Sequence, residues 1–172
     1  PSTRSLEVNT TRSMIERVEH NHGLSPQRLM GDTAYGAGPM LDYLVAQKGI
    51  EPHIPVWDKS ERKDGSFSRS DFHWDENGDR YICPAGHALR RRQRQFKRRP
   101  SDVTVDNTVL YRARKQYCAA CQHKPRCCPN TPMRKIARSI YEASRDQARA
   151  ISTSEEYTKI TSRQRKKVEM LF

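Results

Sequence analysis

Apolar residues fall along this chain in short, spaced groups, and the spacing changes character twice. Met14, Ile15 and Val18 sit at helical intervals among polar neighbours, and the Asn-His-Gly run at 21–23 stops that helix. The stretch 28–31 reads as a short strand that ends at Asp32, and Gly36, Gly38 and Pro39 form the turn behind it. Met40, Leu41, Leu44 and Val45 then make one apolar stripe, with Pro39 suited to a first helical position and Gly49 just past the end. The order so far is helix, strand, helix. The stretch 54–57 is expected to be another short buried strand, restricted by Pro55 to an edge or a strand end.

Beyond Trp57 this pattern breaks. Residues 58–132 hold turn formers, short aromatic pairs such as Phe72 and Trp74, all five cysteines and the tract RRRQRQFKRR, which together predict an insertion with its own small fold. Helical composition returns after Pro132. One helix is expected over 134–151, and a second starts at Ser154 as cap, with Tyr157, Ile160, Val168 and Leu171 as a loose apolar face. The expected organisation is therefore 1–57, an insertion at 58–132, and C-terminal helices at 133–172. Phe172 falls in mid-helix with no glycine, proline or cap before it, so the chain is expected to be a fragment of a longer protein.

Charge sharpens the picture. The apolar share of 34% is below the roughly 45–50% usual for soluble domains, which implies a modest core. The net charge of +12 is concentrated: between Arg80 and Tyr141 there are 16 Lys or Arg against Asp102 and Asp106. Such a concentration favours a polyanion, because each neutralised phosphate releases condensed counterions. Nucleic acid is the expected partner, against the plainer reading of a solvated basic face. No run approaches the roughly 18 apolar residues of a membrane span, and PSTRSLEVNT lacks the apolar core of a signal peptide. A cytoplasmic protein with no membrane partner is expected.

Five clustered cysteines, an odd number, suit a reducing compartment and a metal better than a disulfide framework. Cys118 and Cys121 form a C-x2-C pair, with Cys127 close behind and Cys83 some 35 positions earlier. Four thiols of this kind suit tetrahedral Zn²⁺, and His87 or Cys128 could replace one of them. The alternative is a set of reduced structural cysteines without metal. A zinc ion with four protein ligands would fold the module and leave no open position for catalysis. A redox role for Cys118 and Cys121 is disfavoured, since no βαβ pattern surrounds the pair.

Around this cluster, Arg90, Arg91, Arg92, Arg94, Lys97 and Arg98, followed by Arg112, Arg114, Lys115, Lys124 and Arg126, would make the insertion a DNA clamp. Phe96, Tyr111 and Tyr117 interleave with these charges, either to stack on bases or to fill the module's core.

Two acids complete the candidates. Asp32, in GDTAYG at a strand end, can project a carboxylate from a rigid element, although an Asp opening a turn or capping a helix is the commoner case. Glu169 lies four residues after Arg165, which by itself is a surface ion pair worth a few tenths of a kcal/mol.

Taken with their surroundings, these residues resemble the DDE-type insertion-sequence transposases. TRSMIERVEHNHGLSPQRLMGDTAYG is similar to the segment leading to that family's second catalytic Asp, here Asp32. SRQRKKVEMLF is similar to its signature helix, with Glu169 as the catalytic Glu and Arg165 as the basic residue one turn before it. Between them, YICPAGHAL and YCAACQHKPRCCP resemble the cysteine-bearing insertion of one subgroup. The likeness spans nearly the whole chain.

It departs at Ser162, where the family often has Tyr, and at a Lys seven residues after the Glu, which falls beyond Phe172. The family's first catalytic Asp has no counterpart either, since the only acids before Asp32 are Glu7, Glu16 and Glu19, in or near the first helix. The full protein is therefore expected to begin well before Pro1.

The resemblance implies an α/β fold, a partial ribonuclease H-like domain with a small cysteine-rich insertion. It implies Mg²⁺ or Mn²⁺ held by Asp32 and Glu169, phosphodiester cleavage and strand transfer on double-stranded transposon ends and target, and a homodimer in the nucleoprotein complex. Two ions about 4 Å apart can serve the attacking and leaving oxygens at phosphorus. With only two acids, the chain alone is expected to turn over little. Arg165, Lys166 and Lys167 would contact phosphate, or form the helix's solvent face. The rival expectation is a non-catalytic nucleic-acid-binding protein built on a zinc-stabilised basic module.

Overall fold

The computed structural model describes residues 3–58, 60–92 and 101–169, with the side chains of 3–6, 162 and 165–169 outside the description. In chain order the elements are α1 (Thr3–His22), β1 (Arg28–Met30), α2 (Gly38–Asp42), β2 (Glu51–His53), β3 (His73–Asp75), β4 (Arg80–Ile82), β5 (Ala88–Arg90), β6 (Thr108–Arg112), α3 (Lys115–Ala119), α4 (Lys124–Cys127), β7 (Lys135–Ser139), α5 (Glu142–Ser152) and α6 (Glu155–Glu169). The architecture is mixed α/β. It divides into two compact units, 1–57 with 141–172, and 58–140.

In the first unit α1 ends where the sequence stops it. Gly23 adopts φ +62°, and its N–H bonds to the Glu19 carbonyl at 2.9 Å. Of the expected stripe only Ile15 is buried, while Met14 and Val18 stay largely exposed. Arg12 helps dock α1: its guanidinium donates to the Pro39 carbonyl at 2.6 Å and lies 4.9 Å from the centre of the Tyr43 ring.

The helix after Pro39 forms as expected and continues from α2 into a π turn, Tyr43–Gln47. Met40, Leu41, Tyr43 and Leu44 are buried there with Ile15, Ile50, Ile54 and Ala148 of α5. Gly49, at φ +66°, lets the chain reverse into β2.

β1 and β2 pair in parallel, with Arg28 opposite Glu51, Leu29 opposite Pro52 and Met30 opposite His53. The second strand is thus 51–53 and not the expected 54–57. Pro52 is tolerated because the ladder bonds come from the Glu51 N–H and the His53 carbonyl, so the missing N–H falls on the unpaired edge. Ile54 is buried just after the strand.

In the second unit β3 to β7 form one antiparallel sheet in sequential order. Tyr81, Leu89, Tyr111 and Ile136 share its inner face and are buried, with Trp74 packed 4.9 Å from Tyr81 and 5.4 Å from Tyr111 between ring centres. Phe67, Phe72 and three cysteines complete this core.

The helix expected over 134–151 is not found. Lys135–Ser139 is β7, paired along its length with β6, and the helix starts only at Glu142. The helix-favouring Lys, Ala and Arg of KIARS are overridden by pairing that buries Ile136 against the sheet. The module accordingly runs to Ile140 and takes in 133–140, which the sequence assigned to the C-terminal helices. No helix among the described residues is long and apolar enough to cross a membrane.

Candidate functional site

Asp32 stands two residues past Met30, at the C-terminal end of β1, and caps a 3-10 turn, Thr33–Tyr35. Its Oδ1 accepts from the Ala34 N–H at 2.7 Å. The residue is exposed, so its carboxylate is fixed in place without being withdrawn from water. Gly36 closes the same turn. A Cβ there would lie 2.0 Å from the Pro55 carbonyl oxygen, because the chain after β2 runs directly against it and the Trp57 N–H bonds to the Gly36 carbonyl at 2.9 Å.

α6 reaches the same two strands through a few side chains. Arg28, at the start of β1, binds Glu51 and Glu156, each at 2.8 Å. His53, at the end of β2, stacks on Tyr157 with ring centres 5.5 Å apart, and its Nδ1 is 3.3 Å from the Thr161 hydroxyl. At 1.5 Å per residue, the backbone of Glu169 lies about 12 Å past Thr161 along the axis. The side chains of Arg165, Lys166, Lys167, Val168 and Glu169, and Leu171 entirely, lie outside the described residues. Buried His53 has no signature in the sequence, since a single histidine between two prolines carries no pattern.

The cysteines converge within the second unit. Cys83, Cys118, Cys121, Cys127 and Cys128, together with His87, line one cavity of ≈ 20 Å³, and none of the five is in a disulfide. Cys83 opens a tight turn: the Gly86 N–H bonds to its carbonyl at 2.8 Å, Gly86 has φ +80°, and the His87 N–H reaches its sulfur at 3.3 Å. Burial, followed by the neighbouring Cys128, pushes the Cys127 thiol up to about 12. Burial, followed by Cys118, also raises Cys128. As they stand, the thiols share a wall without meeting in ligating geometry, and no group of three or more His, Cys, Asp or Glu among the described residues forms a metal centre. Five sulfurs and one imidazole around this space are the donors that could hold a metal ion.

Arg134 supports this wall and was missed by sequence reading. It is buried, donates to the Cys127 carbonyl at 2.9 Å and to the Phe67 carbonyl at 2.7 Å, and lies 5.0 Å from the centre of the Phe72 ring. Burial lowers its pKa.

The basic tract is divided in its roles. Arg91 binds Asp79 at 2.6 Å and the Tyr111 hydroxyl at 3.0 Å, and Arg92 binds Asp102 at 2.7 Å. Arg90, on β5, is exposed. Arg94, Phe96, Lys97 and Arg98 lie outside the described residues. Tyr111 fills the core, whereas Tyr117 is partly exposed and stacks on His87 with ring centres 4.5 Å apart. Compared with protein-family models, curated proteins and solved structures, the chain matches none.

Proposed function

We propose that this chain is part of the catalytic core of a DDE-type insertion-sequence transposase, a partial ribonuclease H-like domain interrupted by a basic, cysteine-bearing module. The observation that carries the reading is the position of Asp32 just past the C-terminal end of a parallel strand. Open α/β folds place their ligands at that edge.

The activity would be cleavage of a DNA phosphodiester at transposon ends, followed by strand transfer to target DNA. Bound Mg²⁺ or Mn²⁺ supplies an activated water and stabilises the leaving oxygen. Asp32 would ligate the metal through a carboxylate already oriented by the Ala34 N–H, and Glu169 would approach from the helix. Arg165 and Lys166 would neutralise DNA phosphate. In the module, Cys83, Cys118, Cys121 and Cys127 would hold a structural zinc, with Cys128 and His87 on the same cavity wall.

Titrating the isotope-labelled chain with Mn²⁺ tests the catalytic site. Paramagnetic broadening is expected at amides around Asp32 and Glu169 together, and is lost in Asp32→Asn, which keeps the capping acceptor and hence the fold. Broadening at neither position, or at one alone, removes the catalytic reading. The second reading is a non-catalytic, zinc-stabilised nucleic-acid-binding protein. The 2.7 Å bond from Ala34 favours it, since a cap is a sufficient structural use for Asp32.

A further inference from the structure

A buried arginine is normally paired with a carboxylate, because a charge left unmatched away from water is costly. Arg134 is buried without such a partner. Two of its N–H groups go to the Cys127 and Phe67 carbonyls, which hold the guanidinium in place but carry no charge. Its Nε is buried and bonded to nothing, and the side chain forms no ion pair among the described residues.

Arg134 lines a cavity of ≈ 260 Å³ within 58–140, together with exposed Arg62, Lys135 and Asp64. Arg62 stands near enough for its charge to disfavour that of Arg134, and it gives one N–H to the Ser66 hydroxyl at 3.2 Å. Asp64 is bonded within its own loop: its Oδ1 accepts from the Ser66 N–H at 3.0 Å and from the Ser66 hydroxyl. Three cations thus share the cavity wall with one acid, which is ion-paired with none of them among the described residues. A bound anion would relieve the repulsion between these cations, and guanidinium N–H groups match the oxygens of a tetrahedral oxyanion. The cavity has room for such a group with its waters. The acid on the wall adds a selection. Because it repels every anion, a doubly charged phosphomonoester gains more from the three cations than the singly charged diester of a nucleic-acid backbone does.

We propose that this cavity binds one doubly charged oxyanion of the phosphate type between Arg62, Arg134 and Lys135. None of the three is among the basic residues that the sequence assigned to a DNA clamp. The site depends on neither the candidate catalytic acids nor a metal. Free phosphate and the terminal phosphate of a DNA strand offer it the same group.

The test is calorimetric titration of the whole chain with inorganic phosphate at about pH 8, where most of it is doubly charged. Saturable binding is expected, with nitrate, a singly charged oxyanion, about tenfold weaker. The double variant Arg62→Gln, Lys135→Gln removes two exposed cations and leaves Arg134 in place to hold the fold. It is expected to bind phosphate about tenfold more weakly. Asp64→Asn keeps the acceptor for Ser66 and should bind several-fold more tightly, a gain that impaired folding cannot produce. Lys159→Ala, on α6, serves as the control and is expected to match the wild type. Displacement of the phosphate by a duplex with 5′-phosphate ends, and not by one with 5′-hydroxyl ends, assigns the group to a DNA terminus; displacement by neither assigns it to free phosphate. Equal displacement by both overturns the requirement for a double charge. No saturable phosphate binding, or an affinity unchanged in both the double variant and Asp64→Asn, overturns the site.

Discussion

Gly36 and Arg134 show how much of each unit depends on single side chains. Only a residue without a Cβ lets 55–57 pass so close to the turn capped by Asp32. Gly36→Ala is therefore expected to cost about 1–3 kcal/mol in urea unfolding, toward the upper end because the obstacle is backbone. Gly23→Ala meets no atom within 4 Å and should cost only its φ of +62°, roughly 1 kcal/mol. Equal effects at the two sites would contradict the close approach. Arg134 serves two buried carbonyls. Arg134→Met would orphan both and is expected to lose roughly 2–5 kcal/mol, with Arg134→Lys intermediate, as read by the same denaturation. The sequence exposes neither role. GDTAYG shows a turn but not what runs against it, and an arginine beside KIARS reads as surface.

Among the elements, those legible in advance carry their own periodicity. Met40, Leu41 and Leu44 mark a helix because their spacing alone builds a buried face, and Gly49 marks its end. β7 was illegible because one buried residue, Ile136, cannot announce a strand, and only the partner β6 decides it. Of the run 54–57 expected to be buried only Ile54 is, Trp57 being exposed, and the ladder bonds sit three residues earlier. The clustering of Cys118, Cys121 and Cys127 follows from short spacing, but Cys83 joins them through the turn between β4 and β5. The end-of-strand position of Asp32 was readable. The course of α6 was not, since it depends on Arg28 and His53, residues with no local pattern. The bond of Arg28 to β2 is testable by pH. The Arg28 hydrogen bond pulls Glu51 below the usual carboxylate range. A depressed folded-state value contributes stability that is complete above an unfolded value of about 4.5 and is lost as pH falls through the folded one. Arg28→Gln should accordingly lower the urea midpoint at pH 7 and make less and less difference as the pH falls below the folded value. The effect will be small because the pair is largely exposed. A difference that persists in acid would show that Arg28 acts by packing alone.

At the scale of the whole molecule, the cysteine cavity and the two-unit division predict separable melting. Purified protein is expected to contain one zinc per chain, and a chelator should lower the melting of 58–140 while leaving 1–57 with 141–172 unchanged, as followed by hydrogen exchange resolved along the sequence. Cys118→Ser should mimic the chelator. Absence of zinc together with unchanged exchange would leave the cysteines as a reduced core. The division also fixes an order in time. The sheet β3 to β7 joins only strands adjacent in the chain, so all its pairings can form once Ile140 has been made. The unit holding Asp32 cannot be completed then, because its core needs Ala148 of α5. Until α5 has been made, Met40, Leu41 and Leu44 must wait without their full cover, and the segment that carries the candidate acid is meanwhile open to a chaperone.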